Sequence, residues 1–361
     1  MSDVARHLKD LIRADGPISV AEFMRIVLTA RDDSYYRRAN PLGASGDFIT
    51  APDMSQVFGE LVGLWCVDVW QRLGAPKTFT LVEMGPGRGS LMKDALRAAR
   101  VVPAFLSAVS IAMIEVNEAL RRLQQDALRE APVSTHWLDR FEDLDVRGPL
   151  IVIANEFFDA LPIRQWIRGR AGWSERCVGL ADDALVFGAS GPIAEKYIAE
   201  AVRSAPPSSI VETSPARAAI ARMMGEALTR NGGAALAIDY GFSGPAIGDT
   251  LQAVKAHAYV DVLSEPGHAD VTSHVDFAAL AEAFAEGGAT LSPLVTQGAF
   301  LNRLGAQERV QTLKRTASAG QARELDTSYA RLTGADGMGS LFKVRCAYAP
   351  ATLDPEGFSD A

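Results

Sequence analysis

The chain has 361 residues, of which 48% are hydrophobic and 22% charged, so it has enough apolar mass for a large globular core. Its 36 basic and 44 acidic side chains give a net charge of −8, which disfavours a protein whose main task is to bind nucleic acid. The sequence has no apolar run of about 18 residues, the length of a membrane span. Its cysteines and histidines show no metal-ligand spacing, and its N-terminus has no apolar signal core. We expect a cytoplasmic protein that binds no metal and does not insert into a membrane, with its oligomeric state left open.

The first 75 residues are predicted to be mainly helical. Leu8, Leu11 and Ile12 recur at helical spacing, and a longer apolar stripe indicates a helix from about residue 55 to residue 73. Between these helices, residues 35–52 are rich in Gly, Asn, Pro and Asp and have too little periodicity for a regular element.

From residue 76 onward, short apolar runs alternate with helical stripes. The predicted strands cover residues 78–82, 110–114, 133–137, 149–154 and 233–238, and later residues 290–295 and 341–348. Strands that alternate with helices indicate right-handed βαβ units, and therefore an α/β fold with a doubly wound, mostly parallel sheet. The continuous apolar character of residues 149–154 is typical of a parallel strand covered on both faces.

Residues 163–214 interrupt this alternation. Short β-prone runs before residue 190 are separated by Gly169, Gly172 and Gly179, which predicts a small antiparallel β subdomain. The predicted organisation is an N-terminal helical extension with a lid (1–75), a core (76–162 and 215–349), the inserted substrate subdomain (163–214) and a flexible tail (350–361).

A glycine-rich turn joins the first predicted strand of the core to its helix. Gly85, Gly87 and Gly89 permit a tight turn and a close approach of the backbone to a ligand, although a plain strand-to-helix turn is the alternative. The dinucleotide-binding pattern would need a glycine at position 90, which is Ser90. The carboxylate of Glu83 would repel a pyrophosphate but suits a ligand with a positive amino group. A dinucleotide oxidoreductase is therefore disfavoured.

Acidic residues follow the next two predicted strands. Glu115 is placed to accept hydrogen bonds from both hydroxyls of a ribose. Asp139 either approaches an adenine amino group or is an ordinary loop acid. Adenosine, an amino-acid zwitterion and a sulfonium together describe S-adenosylmethionine (SAM). The residues predicted to bind SAM from this reasoning are Glu83, Gly85, Gly87, Gly89, Ser90, Glu115 and Asp139.

The fourth predicted strand runs into the octapeptide Asn155-Glu156-Phe157-Phe158-Asp159-Ala160-Leu161-Pro162. Ligands of open α/β sheets bind outside the carboxyl ends of the strands, so Asn155, Glu156 and Asp159 are candidate catalytic residues. The alternative is a helix N-terminus whose acids complement the helix dipole.

The chemistry at these acids depends on the methyl acceptor. An arginine guanidinium keeps its proton, because its pKa lies far above neutral pH. Glu156, helped by Asp159, could clamp its guanidinium and aim one nitrogen at the methyl group. With an amine or a hydroxyl acceptor, one of these acids would act as a general base. The residues alone do not choose between these acceptors.

Motifs along almost the whole chain resemble those of the MidA-like family of SAM-dependent methyltransferases. The motifs that carry the resemblance are Gly46-Asp47-Phe48-Ile49-Thr50-Ala51-Pro52-Asp53, the glycine turn, the octapeptide from Asn155, Asp239-Tyr240-Gly241, Gly248-Asp249-Thr250-Leu251-Gln252-Ala253, His274-Val275-Asp276-Phe277 and Met338-Gly339-Ser340-Leu341-Phe342-Lys343-Val344. The resemblance implies a class I methyltransferase (Rossmann-like) fold with an N-terminal helical extension and an inserted β subdomain. It also implies that Gly46, Asp47 and Phe48 form a lid segment over the methyl donor.

The family includes the mitochondrial complex I assembly-factor arginine methyltransferase. The resemblance therefore implies symmetric dimethylation of an arginine in a protein substrate, such as a core subunit of respiratory complex I. Two other functions stay open: a methyltransferase for a small molecule or nucleic acid, and an assembly chaperone that binds SAM without turning it over.

Overall fold

The computed structural model describes residues 2–37, 50–131 and 133–359. The predicted lid residues Gly46, Asp47 and Phe48 lie outside the described residues, so their role stays a prediction. The chain divides into two compact units. The small unit takes the described residues up to 37, together with 158–220 and 242–280, and the large unit takes those between 50 and 157, together with 221–241 and 281–359.

The elements are numbered along the chain. The helices are α1 (Asp3–Asp15), α2 (Val20–Leu28), α3 (Ala51–Met54), α4 (Gln56–Arg72), α5 (Ser90–Ala99), α6 (Pro103–Ala108), α7 (Glu118–Ala127), α8 (Pro215–Asn231), α9 (Phe277–Glu286), α10 (Gln297–Arg303), α11 (Ala306–Lys314), α12 (Ala319–Thr333) and α13 (Met338–Leu341). The strands are β1 (Ile18–Ser19), β2 (Phe79–Met84), β3 (Val109–Ile114), β4 (Ser134–Leu138), β5 (Leu150–Asn155), β6 (Arg164–Gly169), β7 (Gly172–Ala181), β8 (Ala184–Pro192), β9 (Ile210–Thr213), β10 (Gly233–Phe242), β11 (Gln252–Lys255), β12 (Ala258–Val260), β13 (Asp270–Thr272), β14 (Val275–Asp276), β15 (Thr290–Leu291), β16 (Val295–Thr296) and β17 (Phe342–Ala349). Within the described ranges, none of the helices has the length and apolarity needed to cross a membrane.

The large unit is built on a mixed sheet with the strand order β15-β17-β10-β5-β2-β3-β4. Strands β2, β3, β4, β5 and β10 are parallel, whereas β17 is antiparallel to β10. Both β2 and β5 are buried along their whole length, because a parallel strand in such a sheet is covered on both faces. The predicted doubly wound α/β fold with a mostly parallel sheet is confirmed.

The carboxyl ends of neighbouring strands lie level in this sheet. Met84 of β2 is opposite Ile114 of β3 on one side and Ala154 of β5 on the other, and Ile114 is opposite Leu138 of β4. The chain starts the sheet at β2 and adds strands on either side of it, so β2 and β5 flank a topological switch point. Open α/β sheets bind their ligands at such a point, beyond the strand ends.

Helices α4 and α5 of the large unit pack closely through a glycine. A Cβ atom on Gly63 would lie only 2.4 Å from the Cα atom of Ala95. We therefore expect Gly63→Ala to lower the free energy of unfolding by roughly 1–3 kcal/mol, because one helix backbone must move away from the other. Urea denaturation measures this change.

The matched control for Gly63 is Gly320, which lies in α12, where the nearest atom to a new Cβ is 3.9 Å away. There, Gly320→Ala should be neutral or should stabilise the protein by up to about 1 kcal/mol, the ordinary difference in helix propensity. Equal effects of the two substitutions would contradict the packing argument.

Antiparallel pairing characterises the small unit. Strands β6, β7 and β8 form the meander predicted from residues 163–190, and β1 and β9 extend their sheet. A further sheet, in which β11 lies between β12 and β13, is not predicted by the sequence. Buried side chains of α1 and α2, such as Leu8 and Phe23, share a core with Val178 and Val271. The N-terminal helices therefore belong to the same unit as the meander.

The two units divide the chain differently from the predicted domains. Helix α4 begins inside the predicted N-terminal extension but belongs to the large unit. Residues 242–280 belong to the small unit, although the sequence places them in the core. The proposed use of residues 163–214 as a substrate subdomain stays a prediction.

The described part of the C-terminal tail is packed rather than flexible, which corrects the prediction for residues 350–359. Leu353 and Phe358 are buried, and the rings of Phe358 and Phe300 have centroids 5.3 Å apart. The indole Nε1 of Trp65 donates a hydrogen bond to the carbonyl oxygen of Glu356 at 3.2 Å. The apolar side chains of the tail gain more by joining the core than the chain loses in conformational freedom.

Candidate active site

The glycine turn lies directly beyond strand β2, where the sequence predicts it. Gly85, Gly87 and Gly89 have φ angles of 60°, 55° and 79°, in the left-handed region that favours glycine. A Cβ atom on Gly89 would lie 3.3 Å from the Cα atom of Gln124. Helix α5 begins at the next residue, so its first backbone N–H groups face the strand edge. The turn leaves bare backbone at the place where a ligand of an α/β sheet binds.

Two buried carboxyl groups accompany this turn. Glu83 is 3% exposed and Glu115 is 7% exposed. Burial, and secondarily the charge of Glu115, raises the pKa of Glu83 to about 8. Burial also raises the pKa of Glu115 to about 7, although Asn117 and Gln124 donate hydrogen bonds to it. Two such groups create a site that favours a cation or several hydroxyl donors.

Gln124, which the sequence reasoning missed, joins the parts of this site. Its Nε2 donates to the carbonyl oxygen of Gly87 at 2.8 Å and to Oε2 of Glu115 at 3.2 Å. Its Oε1 accepts a hydrogen bond from Nε1 of Trp137 at 2.8 Å. Gln124 is fully buried on α7, one turn after Leu120. A polar residue on the apolar face of that helix was the available signal.

Two other residues predicted to bind SAM already have protein partners. The hydroxyl of Ser90 donates to Oδ1 of Asp53 at 2.7 Å. Asp139 is exposed and forms an ion pair with Arg121, whose Nε also donates to the carbonyl oxygen of Glu115 at 2.7 Å. The roles of Ser90 and Asp139 toward SAM stay predictions.

The catalytic candidates Asn155 and Glu156 follow the neighbouring strand β5. Glu156 has a φ angle of 49°, a conformation that costs a non-glycine residue free energy and is typical of functional sites. Its backbone N–H donates to the carbonyl oxygen of Ile238 at 2.9 Å. Its Oε1 accepts hydrogen bonds from the backbone N–H of Ala51 and from Nδ2 of Asn155, each at 3.2 Å. The carboxylate is thus fixed at the same sheet edge as the glycine turn.

Asp159, the third catalytic candidate, belongs to the small unit. It is 6% exposed, and its carbonyl oxygen accepts hydrogen bonds from the backbone N–H of Ser273 at 3.1 Å and from Nη2 of Arg217 at 3.2 Å. The backbone at Asp159 is therefore held in place by two donors.

The residues present in the large unit fit SAM. Among the described residues, Oε2 of Glu83 and Oδ1 of Asn155 are buried oxygens without a hydrogen-bond partner. A buried acceptor that lacks a donor costs free energy, and the amino group and hydroxyls of SAM are donors. The carboxylate of Glu115 accepts hydrogen bonds from Asn117 and Gln124, and from the backbone N–H of Val116, and a carboxylate has about four lone-pair sites, so acceptor capacity is left for a ribose hydroxyl. A parallel sheet, a glycine turn at its switch point and acids after successive strands define a class I SAM-dependent methyltransferase.

Comparison with known proteins gives the family. A family model described as "Putative S-adenosyl-L-methionine-dependent methyltransferase" matches residues 61–294, and the chain belongs to this family. It is similar to the mitochondrial protein arginine methyltransferase NDUFAF7 of Xenopus tropicalis, with 36% identity over 93% of this chain and 84% of the relative. The Mus musculus protein of the same name is 35% identical, over 95% of this chain and 83% of its own length.

A solved structure is similar over the whole fold. A superfamily member from Burkholderia thailandensis, crystallised with S-adenosyl-homocysteine, superposes with a TM-score of 0.83 at 27% identity. The similarity covers 99% of this chain and 93% of that chain. The predicted methyltransferase class and the predicted methyl donor, SAM, are confirmed.

The relatives correct one prediction. The Xenopus and Mus proteins are designated mitochondrial, and so is the homologue from Drosophila melanogaster. The cytoplasmic location expected from the charged N-terminus is therefore wrong. The composition of the first residues carries too little information to set a location.

The raised pKa values predict that SAM binding releases protons. At pH 7 the folded protein without SAM holds a proton on Glu83, since its pKa is about 8, and partly on Glu115, since its pKa is about 7. A bound cation favours the carboxylate form, so about one proton should leave the protein on binding near pH 7. Calorimetry in phosphate and in Tris, which differ in heat of ionisation, measures this number. Glu83→Gln should remove most of the release, and a binding enthalpy that is equal in both buffers would contradict the prediction.

Proposed function

We propose that this protein transfers methyl groups from SAM to an arginine of a protein substrate and forms symmetric dimethylarginine. The names of its relatives, which are protein arginine methyltransferases, support the protein substrate and the arginine. The observation that carries the proposal is the carboxylate of Glu156, which is held at the strand edge beside the glycine turn by Ala51 and Asn155. As the acceptor protein we propose a core subunit of respiratory complex I.

An arginine acceptor explains why a fixed carboxylate is needed here. When bound, SAM supplies an electrophilic methyl carbon on a sulfonium. A guanidinium stays protonated at neutral pH, so an ordinary base cannot activate it beforehand. Glu156 can instead accept hydrogen bonds from two nitrogens of the guanidinium. This keeps the positive charge on those two nitrogens and leaves the third one to attack the methyl carbon.

Methyl transfer to the guanidinium needs an acceptor for one proton, and this chain supplies one. The acceptor nitrogen forms a bond to the methyl carbon while the bond from that carbon to sulfur breaks, and the electron pair of the broken bond goes to sulfur. The methylated nitrogen then carries one proton too many, and the carboxylate of Glu156 is placed to accept it. The reacting atoms must be about 3–3.5 Å apart and aligned. We propose that Asp159 helps Glu156 to set that alignment.

Labelled SAM tests this proposal. Isolated core subunits of complex I are incubated with the enzyme and methyl-labelled SAM, and the products are analysed by mass spectrometry. Symmetric dimethylarginine at a defined position is the expected result. Label found only on a small molecule or on nucleic acid would show a different acceptor, and the net charge of −8 disfavours nucleic acid.

A non-catalytic chaperone that binds SAM is the second alternative. It predicts that cells with a catalytically inactive variant assemble complex I normally. The proposed enzyme predicts that they do not. Normal assembly with Glu156→Gln, together with SAM binding, would favour the chaperone.

A further inference from the structure

Arg217 is a buried arginine in a place where general electrostatics do not favour one. It lies in the first turn of α8 and is 6% exposed. The N-terminus of a helix carries a partial positive charge, so a cation there is repelled, and burial of the charge adds a desolvation cost. Strong compensating hydrogen bonds must therefore hold its guanidinium.

The guanidinium joins two loops of the small unit. Nε donates to the carbonyl oxygen of Phe158 and Nη1 donates to that of His274, both at 2.7 Å. Nη2 donates to the carbonyl oxygens of Asp159 at 3.2 Å and Ser273 at 3.1 Å, and to Oγ of Ser273 at 2.6 Å. One loop belongs to the octapeptide from Asn155 and the other precedes β14. A planar fork with five N–H donors is the side chain that can span such a set of acceptors.

The second loop is itself anchored to the sheet of the small unit. The backbone N–H of His274 donates to Oγ1 of Thr250 at 2.9 Å, and this hydroxyl donates in turn to the carboxylate of Glu212 on β9. Nε2 of Gln165 on β6 donates to Glu212 at 2.7 Å and to Asp249 at 2.8 Å. The motif around Thr250 therefore acts as an anchor for the loop that Arg217 contacts.

We propose that Arg217 is a positioning residue that fixes the backbone at Asp159 against this anchored loop and so sets where the Asp159 carboxylate meets the methyl acceptor. The inference rests on the proposed function for its catalytic consequence, but the loop arrangement can be tested without an acceptor. The hydrogen bonds of Arg217 join two loops of the small unit, whereas the residues that fit SAM belong to the large unit, so we expect SAM binding to change little when Arg217 is replaced.

Hydrogen exchange tests the arrangement directly. In Arg217→Ala, the amide of Ser273, which donates to the carbonyl oxygen of Asp159 at 3.1 Å, should exchange at least about tenfold faster than in the wild type. Arg222→Ala is the matched control, because Arg222 lies on the same helix with an exposed side chain paired to Glu286. Unchanged exchange at residues 159–161 and 273–274 would overturn the proposal. Should the alanine variant fail to fold, Arg217→Lys serves in its place, since an ammonium cannot hold both loops.

Kinetics with complex I core subunits as acceptor test the consequence. Misplacement of a positioning group by about 1 Å can cost on the order of 100-fold, and we expect kcat to fall by that factor while Kd for SAM stays within about threefold. Millimolar guanidinium chloride should restore part of the activity of Arg217→Ala but not that of Glu156→Gln. Faster exchange with unchanged kcat would overturn the inference. An inactive wild type would refute the proposed function alone, and the exchange data would still decide the loop arrangement.

Discussion

Glu156→Gln is expected to lower kcat for methyl transfer by roughly 1000-fold or more, while Kd for SAM changes by less than about threefold. The glutamine has the same shape but no charge, and when its oxygen accepts the bonds from Ala51 and Asn155, its amide group presents N–H donors to the guanidinium. It can neither hold the positive charge bidentately nor accept the proton released after transfer. The loss should therefore fall on the chemical step rather than on donor binding.

The structure makes this substitution a mild one for the fold. Oε1 of Glu156 accepts hydrogen bonds from Ala51 and Asn155, and a glutamine carbonyl oxygen can accept both. The φ angle of 49° costs glutamine about as much as glutamate. Single-turnover label transfer measures the chemical step, and calorimetry measures donor binding.

Glu118→Gln is the matched control for Glu156→Gln, because the side chain of Glu118 is 77% exposed on the same unit. It should leave both quantities unchanged. If SAM affinity collapsed with Glu156→Gln as well, Glu156 would be a donor ligand. If turnover survived, the proposed clamp would be wrong.

Most of the sheet could be predicted from the sequence because its strands bury both faces. The apolar run at residues 149–154 becomes β5, and the run at 78–82 becomes β2, each within two residues. The short strands of the small unit are different. β11, β12 and β13 have three or four residues each, and their burial ranges from mostly exposed in β12 to complete in β13, so no clear periodicity marks them. Long-range pairing, which the local sequence does not display, forms that sheet.

Residues of the candidate site could be predicted from the sequence where a residue type is tied to one backbone conformation or one position relative to a strand. Glycines with left-handed φ angles and acids directly after strands carry such a signal, as Gly85 and Glu115 do. Gln124 carries only the weak signal of a polar residue on an apolar helix face, and Arg217 carries none, because its role comes from contacts with residues 56 or more positions away. For Asp139 the sequence left a ligand contact and an ordinary loop acid open; its carboxylate pairs with Arg121, and its role toward SAM stays a prediction.

The second large effect is expected at Glu115, where Glu115→Gln should raise Kd for SAM by roughly 100-fold, about 3 kcal/mol for two charge-assisted hydrogen bonds. A glutamine keeps one acceptor oxygen for the backbone N–H of Asn117. Its amide nitrogen, however, meets Nε2 of Gln124, which is also a donor. The variant therefore loses its acceptors toward the ribose and loosens the amide that holds Gly87.

Although Glu115→Gln should weaken SAM binding, it should not lower the stability of the folded protein at alkaline pH. Burial raises the pKa of Glu115 to about 7, so the wild type without SAM loses stability as the pH rises from about 4.5 through 7, where the unfolded chain has already released the proton. Glutamine removes this loss of stability, and the variant should melt no lower than the wild type at pH 8.

Thermal unfolding between pH 4.5 and pH 8 measures the stability, and calorimetry with SAM measures the affinity. Glu118→Gln again serves as the exposed control. Weakened SAM binding in an equally stable protein would place Glu115 in the donor site, through its own contacts and through Gln124, whereas an unchanged Kd would remove Glu115 from that site.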